Sequence, residues 1–166
     1  SISTQRVFTN NLQFNKYNTD LQLFNWGMFL LATYQSPDKR FSATAGARFD
    51  ASSYSSKTSN PLKQFSPRIS ASYNVSPMVE LNAGAGIYYQ LPPYTALSYK
   101  ENNILANTDL EYMRVVHSGI GVSVTPCENL VIAVDGFYKK YTDVPTSLTD
   151  SIPLLCKGND YGIVGN

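Results

Sequence analysis

Over most of its length the chain alternates apolar and polar residues one by one, and this pattern limits the possible folds more than any other feature. From Phe41, the residues Phe41, Ala43, Ala45, Ala47 and Phe49 share one parity, while Ser42, Thr44, Gly46, Arg48 and Asp50 take the other. Successive side chains of an extended strand point to opposite faces, so such runs build sheet with one apolar and one polar face. Apolar residues are 43% of the chain but dispersed. No run nears the roughly 18 apolar residues of a membrane-spanning helix, which excludes helical spanning.

The same reading identifies about six strands. Phe24, Trp26, Met28, Leu30, Ala32 and Tyr34 oppose Asn25, Gly27 and Thr33. Ile69, Ala71, Tyr73 and Val75 oppose Arg68, Ser70, Ser72 and Asn74. In "VELNAGAGIYYQ", Val79, Leu81, Ala83, Ala85, Ile87 and Tyr89 oppose Glu80, Asn82, Gly84, Gly86, Tyr88 and Gln90. Val116, Ile120, Val122 and Val124 share a face with Ser118, against His117, Gly119, Gly121 and Ser123. Leu130, Ile132, Val134, Gly136 and Tyr138 oppose a mixed face with Asp135 and Lys139. The residues before Leu21 fit one further strand plus loop. Three connections are short and carry a Ser/Thr-Pro step, "SPDKR", "SPM" and "TPCEN"; proline presets a turn and cannot extend a ladder. The other three (52–66, 91–110 and 143–160) are long and polar. Strict alternation of short and long connections, in a repeating hairpin unit of roughly 40 to 50 residues, marks an all-β, antiparallel up-and-down meander with one plain and one elaborated rim.

Aromatic placement indicates what the apolar face touches. Trp26 and Tyr34 bracket Met28, Leu30 and Ala32, and Phe41 and Phe49 bracket three alanines. Tyr73 lies at the short-turn end; Tyr89, Tyr112 and Tyr138 lie at the long-loop end. A soluble β core would favour its large rings near mid-strand. Lipid-facing strands put amphipathic rings at the two headgroup levels instead. Trp26 to Tyr34 covers about nine residues, near what a tilted strand needs to cross hydrocarbon. The expected fold is therefore part of a transmembrane outer-membrane β-barrel.

"FSPRISASYNVSPMVELNAGAGIYYQLPPYTALSYKENN", the turn "TPCENL" and "VDGFYKKYTDVP…KGNDYGIVGN" resemble the C-terminal part of the barrel of TonB-dependent outer-membrane receptors, in the version common in Bacteroidota. The resemblance covers Trp26 to Asn166. It implies a 22-stranded barrel around an N-terminal plug that engages the TonB energy complex, and uptake of an iron–siderophore, haem, cobalamin or glycan. Neither the plug nor a terminal aromatic is present, so residues 1–166 read as one partial barrel domain, a fragment of a longer chain. The short turns are then periplasmic and the long loops extracellular, the cell outer membrane is the location, and the implied partners are outer-membrane lipid, the plug of the same protein, the TonB complex and a small-molecule or glycan substrate. The alternatives are a soluble secreted all-β ligand-binding module and a barrel enzyme using His117 as base.

Candidate sites follow from parity. Arg48, Asp50, Arg68, Glu80, Asn82, His117 and Asp135 face the lumen, as a network bonding wall to plug. The loop from Leu91 to Leu110, with Gln90, Tyr94, Tyr99 and Lys100, offers rings to stack on a substrate and groups to hydrogen-bond it. Lys139 and Lys140 are expected to meet anionic headgroups at the outer rim. His117 and Ser118 are strand neighbours pointing to opposite faces, so they form no nucleophile–base pair. "GAG" at Gly84–Gly86 lies inside an alternating strand with no helix after it, unlike a phosphate loop. Cys127 and Cys156 read as two unpaired thiols with no metal or catalytic role, and no catalytic residue or cofactor is expected. The formal charge of +1 gives no field to recruit nucleic acid.

Overall fold

A computed structural model of the chain describes residues 2–8, 11–17, 20–101, 104–148, 150–156 and 163–165. β1 (Ile2–Phe8) and β2 (Asn11–Tyr17) form an antiparallel pair of their own, so the region expected to give one strand gives two. β3 (Asn25–Gln35), β4 (Phe41–Ser52), β5 (Ser66–Ser76) and β6 (Val79–Gln90) follow. After a loop holding α1 (Tyr94–Leu97) and the short β7 (Lys100–Glu101) and β8 (Ile104–Leu105), the sheet resumes with β9 (Met113–Cys127) and β10 (Leu130–Thr142). β11 (Thr146–Ser147) pairs with β12 (Val164–Gly165). Of "DYGIVGN", only Ile163 to Gly165 lie within the described residues.

The main sheet has six strands in the order β10-β9-β6-β5-β4-β3, every pair antiparallel. It is the expected meander, the short loop strands aside. The strands run 11 to 15 residues, enough for the roughly 9 to 11 that a tilted strand needs to span the hydrocarbon. The register keeps the two faces apart most cleanly through β4, β5 and β6, while on the edge strands β3 and β10 the polar-face parity also carries Phe29, Leu31, Val131 and Phe137. Ala32 pairs with Ala45, Ala45 with Ile69, and Ile69 with Ala85; Ala83 pairs with Ile120 and Leu81 with Val122. On the other face Thr33 pairs with Thr44, Thr44 with Ser70, Ser70 with Gly84, and Gly84 with Gly119. A slip of one residue at any ladder would put serines among alanines, so the alternation itself fixes the register. Irregularities in pairing fall between Asn74 and Ser76 and between Leu130 and Ile132, beside two of the short turns.

Among the described residues, nothing covers the apolar face. Leu30, Ile69, Ile120 and Val134 are 74%, 61%, 68% and 66% exposed although each sits within a strand. In water, a continuous apolar face of this extent is an interaction surface or an aggregation hazard; in hydrocarbon it is the ordinary state of a barrel wall. Trp26 and Tyr89 do not meet in an interior. Phe49 packs on Phe65, with ring centroids 5.0 Å apart, at the long-loop end. Tyr34 and Phe41 lie 6.5 Å apart at the other end, where Phe41 pairs with Tyr73. Tyr112 departs from the expected outer row. It lies just before β9, is 8% exposed, and is held by burial with its hydroxyl pKa raised.

The buried hydrophobic cluster is in the long connections, which the sequence reading treats as polar. Ala96, Leu97, Leu110, Leu154 and Val164 form it, with Leu21, Leu23, Tyr54 and Leu91 packed against them. The Tyr54 and Asn107 side chains bond within it. The Tyr54 hydroxyl shares its single proton between the carbonyls of Leu97, at 3.1 Å, and Asn107, and burial pushes its pKa up to about 12. Asn107, 2% exposed, donates from Nδ2 to the Ala96 carbonyl at 2.7 Å and accepts the Val164 amide at Oδ1, 2.9 Å. One asparagine thus links α1 to β12. Lys57 and Glu111 bridge two loops at 3.0 Å on the surface, and each pairing of this exposed kind contributes little.

Candidate functional site

The polar face is hollow. Its floor is built from residues with small side chains, Ser42, Thr44, Ser70, Ser72, Gly84 and Gly119, and it encloses an open trough of about 610 Å³. Hydroxyls bond across strands, Thr33 to Thr44 at 3.2 Å and Ser42 to Ser72 at 3.0 Å, so the floor satisfies part of its own polarity. Glycine's role here is space. At Gly121 the volume of a Cβ is taken by Asp135 Oδ1 and Asn82 Oδ1, so these two side chains converge over it.

Larger side chains rise from this floor in one band. Gly86 pairs with Arg68 on one side and His117 on the other, and His117 pairs with Lys139. The Arg68 guanidinium lies over the Tyr88 ring, 5.2 Å from its centroid. The Tyr88 and His117 rings are 6.2 Å apart, and His117 meets Phe137 edge-on at 6.4 Å. Lys139 Nζ sits 5.3 Å from the Phe137 centroid. These distances fall within the range of cation–π and aromatic pairing. Gly86 makes room for the band: a Cβ there would lie 3.1 Å from Arg68 Cβ, 3.1 Å from Tyr88 Cε2 and 3.2 Å from the Pro67 carbonyl. Gly119 offers a control, since the nearest atom to its Cβ would be a carbonyl at 3.4 Å. Gly86→Ala is expected to destabilise the full-length receptor by about 1–2 kcal/mol and Gly119→Ala by less than about 0.5 kcal/mol, measured by unfolding in detergent micelles.

A second hollow of about 540 Å³ lies toward the long loops, lined by Arg48, Asp50, Arg68, Tyr88, Gln90 and Tyr112 among others. Arg48 and Asp50 hold each other with two short bonds, Nε to Oδ2 and Nη2 to Oδ1, both 2.8 Å. The structure thus brings Gln90, expected at the outer mouth, beside Arg48 and Asp50 of the wall. Tyr94 is exposed and accepts a bond from Asn25 Nδ2 at 3.2 Å. Lys100 is half-buried in β7. Tyr99 is 2% exposed, so its ring is closed to a ligand arriving from outside. Glu80 is exposed on the polar face, level with Asn74 and Ser123.

Lys139 requires a correction. It does not share a face with Lys140; the alternation sends Lys139 to the polar face paired with His117, away from the headgroups, and Lys140 to the apolar face paired with Val116. Tyr88 and Phe137 were also missed as site residues, though their parity with Gly86 and Asp135 was available in the sequence. His117 and Ser118 point to opposite faces, Ser118 pairing with Ala85 and Tyr138. Cys127 and Cys156 are unpaired and exposed, at the end of β9 and in the last helical turn.

A meander with one uncovered apolar face, rings toward both ends of the strands, and a polar hollow opposite has the construction of a transmembrane β-barrel wall. The chain belongs to the TonB-dependent receptor-like β-barrel family, whose model matches residues 2–165. No curated protein and no solved structure matches it. The family consists of outer-membrane receptors and transporters that work with a plug domain and the TonB system.

Proposed function

We propose that residues 1–166 are an arc of the barrel wall of an outer-membrane receptor of the type common in Bacteroidota, which takes up a scarce nutrient by TonB-dependent transport. The observation that carries this reading is an exposed apolar face that stays in register across all six strands, opposite a face that is polar through β4, β5 and β6. The apolar face meets acyl chains and the polar trough faces the lumen, where Arg48, Asp50, Arg68, Glu80, Asn82 and His117 bond to the plug. The short turns are periplasmic. The long loops, packed on their own core, stand outside and present Tyr94 and Lys100, while Gln90 at the end of β6 lines the upper hollow, where a substrate is received before the plug rearranges. Iron–siderophores, haem, cobalamin and glycans are all compatible with such a mouth.

The test is expression of the full-length gene product in a Gram-negative host. Fractionation with the outer membrane, and faster migration in SDS gels before boiling than after, are the expected results. A detergent-free soluble monomer with cooperative unfolding would end the proposal and leave a secreted binding module in its place.

A further inference from the structure

The band across the trough has an imbalance of charge. Arg48, on the same face, has its counter-ion in Asp50. Arg68 and Lys139 have none: among the described residues neither forms an ion pair, and the cations instead rest over the faces of Tyr88 and Phe137. The nearest acid along β10, Asp135, leans over Gly121 toward Asn82, in the ladder row of Asn82 and not in that of Arg68 and Lys139. Two positive side chains, half-buried Arg68 and exposed Lys139, therefore stand on a concave face, held by rings over a floor of hydroxyls and glycines, and the one carboxylate lining the same trough, Asp135, lies in a different ladder row. Such an arrangement complements negative charge.

Spacing narrows the class of partner. Arg68 and Lys139 are separated by three ladder steps, through Gly86 and His117. At about 4.8 Å per step that is about 14 Å between strands. An extended peptide covers it in about four residues, and side chains four apart lie on one face of the peptide. We propose that the Arg68–Tyr88–His117–Phe137–Lys139 band is a docking strip for an acidic peptide segment of the receptor's own lumenal domain, laid across the strands with two carboxylates in an acid-x-x-x-acid spacing. The small-residue floor lets the segment's backbone approach, and His117 lies between the two charge contacts. This rests on the reading of the polar face as lumenal.

The test uses the full-length receptor in detergent micelles, with p-benzoylphenylalanine in place of Phe137. Photolysis should give an intrachain crosslink to a segment carrying two acids four residues apart. Adding Arg68→Gln and Lys139→Gln should cut the yield about fivefold at low salt, and raising salt to about 0.5 M should do the same to the parent protein. Crosslinks to detergent or lipid alone would show that the face is not lumenal and remove the wall reading too. A crosslink to a segment without carboxylates, no protein crosslink on a face that also avoids detergent, or a yield indifferent to both charge removal and salt would overturn the docking strip and leave the wall reading standing.

Discussion

Ile120→Arg lowers the stability of the assembled barrel by about 2–4 kcal/mol, the cost of a charged side chain facing lipid near the bilayer midplane. Ile120 lies within β9 on the uncovered face, 68% exposed, paired with Ala83 and Gly136. Exposure to water would make the same change nearly neutral, since exposed substitutions usually shift stability within about 0.5 kcal/mol. The size of the effect thus reports the solvent. Ser70→Arg is the control. Ser70 is exposed on the polar face between Thr44 and Gly84, and this change is expected to cost less than about 1 kcal/mol. The heat-modifiable fraction and urea unfolding in lipid vesicles measure both. Equal effects from the two arginines would contradict a lipid-facing surface.

Asn107→Ala is expected to cost about 2–4 kcal/mol, paid within the loop cluster. It leaves the Ala96 carbonyl and the Val164 amide without their side-chain partner in a buried setting, and each unsatisfied group costs about 1–3 kcal/mol. Asn107→Asp keeps an acceptor for Val164 but sets a carboxylate oxygen against the Ala96 carbonyl, so it rescues only part of the loss. Because one side chain joins α1 to β12, the loop after β6 and the segment after β10 should loosen together. Limited proteolysis of intact cells would show cleavage rising in both, with the barrel still assembled. Cleavage confined to one loop would mean that the link carries no coupling.

What could be read from the sequence follows from where periodicity operates. Residues 25–142 contain six strands whose order and short turns are explicit, and whose faces are plainest in β4, β5 and β6, because a lipid-exposed sheet alternates to keep acyl chains on one side and water on the other. The polar-face residues Arg48, Arg68, Asn82 and His117 could be placed by parity alone. Lys139 was misplaced when its neighbour Lys140 and the cluster "YKKY" were given more weight than its parity with Asp135. The loops were less legible. Leu97, Leu110, Leu154 and Val164 have no regular spacing, and their common core depends on contacts between segments far apart in the chain. For the same reason Tyr99 reads as a ligand contact: nothing near it in sequence shows that its ring is buried. The division of Ile2–Tyr17 into two strands was hidden because that stretch alternates poorly.

Among the described residues, β3 and β10 have a ladder partner on one side only. On the other side each presents a row of amides and carbonyls over 11 and 13 residues respectively. Oil offers no substitute for those bonds, and each one left unmade costs several kcal/mol. These six strands therefore cannot enter the bilayer one hairpin at a time and wait there. Entry and the zipping of both margins to neighbouring strands have to occur as one cooperative event, and any factor that delivers the chain must shield those margins until it is complete.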